Sequence, residues 1–203
     1  MSGAFERRVN QWQKILKFSR LKLNVGFQRL GNVLRICATT WAEAKKCFTV
    51  MHRNIYGSLE ILTGIDRIFL DTAPLVYFLD DNENYAEKMR QIFYDILTSG
   101  IEIITSAVTV TEYLTYPLRT GNIENVNAFF EFVNDAGIRI MPIDIRTAVK
   151  AAEVRAEYTA FKPMDSLQIA SACVNFCDIF LTNDKQLCQF SEISCVTVEQ
   201  FAL

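Results

Sequence analysis

At 203 residues, 50% hydrophobic and 22% charged, the chain has room for one domain with an extension or for two small ones, and its composition excludes wholesale disorder. No apolar run reaches the ~18–20 residues of a spanning helix, and no compact apolar core with a small-residue cleavage site follows the charged start at Glu6, Arg7 and Arg8; both predict a cytoplasmic protein without stable membrane insertion. A single histidine, His52, argues against Ser-His-Asp and Cys-His catalysis and leaves carboxylates with a hard metal ion as the enzymatic chemistry to look for.

The six cysteines contain no C-x-x-C pair; Cys173 and Cys177 lack a second ligand pair at zinc-like spacing and read as reduced, buried thiols. The net charge of −2 conceals two halves of opposite sign. Residues 1–66 carry eleven Lys/Arg against four Asp/Glu, and residues 67–203 carry ten against nineteen, +7 and −9 respectively. A reversal of this size marks a boundary, drawn near residues 64–67. In the first part Phe5, Val9, Trp12 and Leu16 recur at helical spacing among Arg7, Arg8, Lys14 and Lys17, which predicts a basic amphipathic helix. Such a helix suits RNA, an acidic partner or a membrane surface; it equally suits a solvated helix packed on the body. Met51 as the native start is a third reading.

From Arg67 onward strands and helices alternate. Ile68-Phe69-Leu70 is a short buried strand that runs into Asp71, and a helix over residues 74–79 follows with Pro74 in its first turn. Tyr85, Met89, Ile92, Phe93 and Ile96 mark an amphipathic helix closed by Gly100. Residues 101–105 form a strand, and residues 109–114 a helix that Pro117 and Gly121 end. Residues 123–133 form a helix stopped by Gly137, and residues 138–143 a strand. Ala148, Val149, Ala152 and Ala156 mark one helix, and Leu167, Ala170, Ala172 and Val174 another. A strand over residues 178–182, a short helix over 185–190 and a strand over 195–198 complete the chain. This alternation predicts an α/β domain with a mainly parallel sheet flanked by helices.

Asp71 and Asp184 each stand at the carboxyl end of a buried strand, where open parallel sheets bind ligands. Each also suits the N-cap of the helix after it. Asp165 reads as the N-cap of the stripe begun by Leu167, and Glu112, beside Val108, Val110 and Leu114, as an exposed helix residue. Singly, none of the four separates function from capping.

Together they match a pattern. Leu70-Asp71-Thr72, residues 106–114 with Glu112, residues 164–172 with Asp165, and Leu181-Thr182-Asn183-Asp184 stand in the order and spacing of PIN domains. Residues 67–203 resemble the VapC-like ribonuclease toxins of toxin–antitoxin pairs, and Asp165 followed nineteen residues later by Asp184 after a strand is the most specific part. Residues 1–66 have no counterpart there. The resemblance implies a PIN-like fold in which Asp71, Glu112, Asp165 and Asp184 converge on Mg²⁺ or Mn²⁺. Asp71 and Asp165 would be the principal ligands, Glu112 and Asp184 would complete the site or orient water, and Thr182 would bond a carboxylate or phosphate. It further implies endoribonuclease activity leaving a 5′-phosphate and a 3′-hydroxyl, a cognate antitoxin and a homodimer. The competing readings are an inactive PIN-like RNA- or protein-binding module and a housekeeping PIN nuclease. A HAD-like phosphatase would need an acid two residues after Asp71, where Ala73 stands, and a receiver domain an acidic pair before it.

Overall fold

The computed structural model describes residues 61–201. The basic helix expected near the amino terminus and the candidate start at Met51 lie outside the described residues. Five strands, β1 (Arg67–Leu70), β2 (Glu102–Ser106), β3 (Arg139–Met141), β4 (Ile179–Thr182) and β5 (Ser194–Thr197), form one sheet in the order β3-β2-β1-β4-β5. Every pairing is parallel. β1 pairs with β2 at Phe69↔Ile104 and with β4 at Phe69↔Phe180.

Parallel strands are buried on both faces and therefore apolar throughout, and β4 is buried at all four positions. Alternation divides the side chains between the faces. Phe69 and Phe180, stacked with ring centroids 5.3 Å apart, join Ile104 in a core closed by Val154, Phe161, Ile169 and Phe190. That core lies under α5 (Ile145–Glu157) and α6 (Pro163–Val174). A second aromatic cluster joins Phe78, Phe93 and Phe132, with centroids 4.7–5.1 Å apart, across α1 (Thr72–Leu79), α2 (Ala86–Ser99) and α4 (Ile123–Asp135). At the amino end of the sheet the Asp178 carboxylate accepts from the backbone N–H groups of Asp66 and Arg67, each at 2.9 Å, and so ties the start of β1 to β4.

Gly100 stops α2 in the left-handed conformation (φ 75°) that its position requires. Other boundaries differ from the sequence expectation. The helix expected to end before Pro117 runs on as α3 (Ala107–Arg119) with the proline inside. In the last turn a proline deprives only one carbonyl of its donor, and the Thr120 hydroxyl and backbone N–H close the turn onto Tyr116. β3 is half the length expected. The segment over residues 185–190 is only a 3₁₀ turn (Leu187–Gln189), and a short helix, α7 (Val198–Phe201), follows β5.

Candidate active site

β1 pairs with strands on both sides, and the chain leaves it toward β2 on one side and reaches β4 on the other. The carboxyl ends of β1 and β4 therefore flank a topological switch point, where such sheets open a crevice. A cleft of about 590 Å³ lies there, lined by Asp71, Thr72, Ala73, Val76, Tyr77, Glu112, Thr115, Asp165, Asp184 and Leu187. Four carboxylates from four segments meet in it: Asp71 after β1, Glu112 on α3, Asp165 in the first turn of α6, and Asp184 just past β4.

Asp71 is the N-cap of α1, and its Oδ1 accepts from the Thr72 N–H at 2.7 Å. It also faces the cleft while only 8% exposed, so cap and cleft carboxylate are one residue. Oδ1 takes a second bond from Gln168 Nε2 at 2.8 Å, and Oδ2 takes one from the Thr182 hydroxyl at 2.6 Å. Thr182 in turn accepts from the Asp184 N–H at 3.0 Å, which links the two strand ends through one hydroxyl. Burial pushes the Asp71 carboxyl up to about 6; the Thr182 and Thr72 bonds oppose the rise, and the charges of Glu112 and Asp165 add to it.

Asp165 is half-buried and is not the N-cap anticipated for it. Helix α6 begins two residues earlier, at Pro163, because proline suits a first turn, and Lys162 holds the cap position. Burial raises the Asp165 carboxyl, Lys162 lowers it, and Asp184 raises it. Asp184 is exposed and caps no helix: its Oδ1 accepts from the Gln186 N–H at 2.8 Å, a turn contact two residues on. Glu112 is exposed, with Oε2 bonded to the Thr72 hydroxyl.

Sequence reasoning assigned no role to Gln168. It is 2% exposed, one turn after Asp165, and its Nε2 reaches Asp71, Thr72 Oγ1 (2.9 Å) and Glu112 Oε2 (3.2 Å). Its Oε1 accepts from the Thr109 hydroxyl at 3.0 Å, which fixes the amide the right way round; reversed, it would set an oxygen against two carboxylates. The available signal was a polar residue within the apolar run Leu167–Ala170.

Among the described residues no three acidic, cysteine or histidine side chains are already drawn together tightly enough to hold an ion. The donor set nonetheless fits a hard divalent cation. It consists of oxygens alone, Asp71 Oδ2 keeps a lone pair beyond its one bond, and the Asp71 carboxyl, raised first by burial and further by Glu112 and Asp165, is one that a cation would favour in its charged form.

A family model of the PIN domain matches residues 68–193. The chain belongs to the PIN domain family. No curated protein matches it. Among solved structures this PIN domain is similar to VapBC2 from Rickettsia felis bound to a promoter DNA fragment, at 14% identity and TM-score 0.56, over 64% of this chain and 98% of that one. It is also similar to FitAB bound to an IR36 DNA fragment (20% identity, TM-score 0.52, 64% and 94%). A toxin–antitoxin complex from Klebsiella pneumoniae follows (16%, 0.50, 64% and 97%). At these identities the likeness is one of fold.

Proposed function

We propose that this PIN domain is a cytoplasmic endoribonuclease that uses Mg²⁺ or Mn²⁺ to hydrolyse RNA phosphodiester bonds, and that it is the toxin of a toxin–antitoxin pair. The observation that carries the reading is the convergence of Asp71, Glu112, Asp165 and Asp184 on one cleft, with Asp71 buried and its carboxyl raised to about 6. Carboxylates so arranged repel one another, Lys162 beside Asp165 offsets them only in part, and a divalent cation relieves the repulsion with the oxygen ligands it prefers. Asp71 and Asp165 would hold it, with Asp184 and Glu112 completing the set. When bound, it supplies positive charge to the scissile phosphodiester and to the attacking water.

The side chains supply the rest. Thr182 and Gln168 hold Asp71 from two directions and leave one lone pair of Oδ2 toward the cleft. Glu112, its Oε2 held by Thr72 and Gln168, keeps Oε1 to orient water and take its proton. One solved structure of similar fold, from Klebsiella pneumoniae, is a toxin–antitoxin complex, which favours an inhibitor protein as partner. The proposal includes that cognate antitoxin and a homodimer.

The test is cleavage of structured and unstructured RNA by the purified full chain in Mg²⁺ or Mn²⁺, with chelator as control. Metal-dependent products bearing 5′-phosphates, lost in Asp71→Asn, are expected. Wild-type rates in Asp71→Asn would sink the assignment. Expression at confirmed soluble levels without effect on growth would remove the toxin role and leave the nuclease.

A further inference from the structure

One wall of the cleft is aromatic and has no part in the carboxylate chemistry. Tyr77, two turns into α1 from Asp71, lines the cleft and is half-buried, whereas its neighbour Phe78 lies in the core. The Tyr77 ring is held from two sides. It stacks on Tyr85 with centroids 4.5 Å apart and planes 16° from parallel, and its hydroxyl accepts from Asn183 Nδ2 at 3.2 Å. Asn183 sits between Thr182 and Asp184, so the ring is tied to the strand end that carries the cleft's own acids. Behind it, the Lys88 ammonium lies 5.7 Å from the Tyr85 centroid. A tyrosine serving only as core would be covered like Phe78. This one is rigid, partly open and directed to a site for phosphodiesters, and Val76 adds apolar surface beside it.

We propose that Tyr77, backed by Tyr85 and tethered by Asn183, is a positioning residue: a stacking platform for a nucleobase next to the scissile phosphate. The inference rests on the nuclease reading. Its chemistry is general: a base in a duplex has both faces covered by its neighbours, whereas a splayed base offers a π-face to an aromatic ring.

The probe is a short fluorescein-labelled single-stranded RNA of mixed sequence, its fully paired duplex, and the same strand carrying abasic sites. Binding to the full chain is read by fluorescence anisotropy in Ca²⁺, an oxygen-seeking ion that offsets the cleft carboxylates, with the RNA checked on a gel to be uncut. Tyr77→Leu should weaken single-strand binding roughly ten-fold and leave duplex binding alone. The slope of log affinity on log salt should not change, because no phosphate contact is lost. Tyr77→Phe, which keeps the ring and loses the Asn183 bond, should stay within about two-fold. Abasic sites should weaken wild-type binding about as much as Tyr77→Leu does, and should weaken Tyr77→Leu hardly further. Wild-type affinity in Tyr77→Leu, equal losses on single strand and duplex, or abasic penalties of the same size in both proteins would each overturn the platform. Cleavage by wild type in Mn²⁺ is scored separately. No cleavage with the Tyr77 effect intact refutes the nuclease and keeps the platform as a single-strand binding site, whereas cleavage without a Tyr77 effect refutes the platform alone.

Discussion

Replacing Asp71 by Asn should stabilise the metal-free protein at neutral pH while removing catalysis. The Asp71 carboxyl rises from an ordinary 3.8 to about 6 in the fold. At 1.36 kcal/mol per unit this corresponds to a penalty of about 3 kcal/mol for holding the charged form folded. The sign follows from proton linkage. Below pH 4 the group is protonated in both states and costs nothing. Between pH 4 and 6 the unfolded chain releases its proton while the fold retains it, so stability falls as pH rises; above pH 6 the loss is complete. Asparagine keeps two of the three bonds and reverses the third, which leaves the buried Thr182 hydroxyl proton without its acceptor. Its Oδ1 can accept from Thr72 N–H and Gln168 Nε2, and its Nδ2 can donate to Thr182, whose remaining lone pair still receives the Asp184 N–H. With some loss from the weaker neutral bonds and the unpaired hydroxyl proton, a gain of about 1–3 kcal/mol at pH 7 is expected, vanishing near pH 4. Denaturant titration of both full chains from pH 4 to 8 in chelator reads it, and taking the difference between the two removes slopes due to other acids such as Glu102 and Asp144. Saturating Mg²⁺ should stabilise only the wild type and narrow or reverse the gap. An Asn variant less stable at pH 7, or a difference independent of pH, would refute the account.

The Thr182 hydroxyl is the strongest contact opposing the rise of Asp71, so Thr182→Val should move the Asp71 titration above about 6 in metal-free protein, as followed by carboxyl-carbon NMR. Gln168→Leu removes the donor shared by Asp71, Thr72 and Glu112 and leaves the Thr109 hydroxyl without its acceptor; a loss of about 2 kcal/mol in denaturant unfolding is expected. The same variant should lower kcat far more than it raises KM, and equal changes in both would show that Gln168 acts on binding instead. A chain beginning at Met51 should fold and melt within a few degrees of the full chain, since it keeps every strand of the sheet and, among the described residues, no cleft residue precedes Asp71. If the basic segment holds RNA, that shortened chain should bind with a flatter salt dependence; insolubility beside a soluble full chain would show the boundary to be misplaced.

The centre of the parallel sheet was legible because β1 and β4 are short apolar runs closed by strand-end acids, and β2 and β3 follow Gly100 and Gly137. Helix ends were harder to read. Proline stops a helix only where the lost bond cannot be spared, and Pro117 stands where it can. Asp165 was read as a cap because the apolar stripe starts after it, but caps are set by backbone geometry, which Pro163 moves upstream. The four acids were visible, Asp71 and Asp184 at strand ends and Glu112 and Asp165 on helices. Their supports were not: the apolar run around Gln168 marks it as buried but not what it holds, and nothing local distinguishes Tyr77 from a core tyrosine, because their partners Thr72 and Asn183 lie 96 and 106 residues away.

Capping and catalysis are usually weighed as rival explanations of an aspartate at a strand end. At Asp71 the cap serves the site. Closing onto the Thr72 N–H fixes the carboxylate at the mouth of β1, and helix α1 built on that cap carries Tyr77 to the cleft wall. Burial then makes the fixed charge costly, and its neighbours Glu112 and Asp165 raise the cost further. A fold selected only for stability would place Asn or Ser there and keep the cap without the charge. An aspartate at a site that penalises its charge accords with the ion-holding role proposed for it. This also bears on the acidic character of residues 67–203, whose charge of −9 opposes RNA. Four of those charges face one cleft, where an ion that offsets them would turn the most repulsive region of the domain into the one able to receive a phosphate.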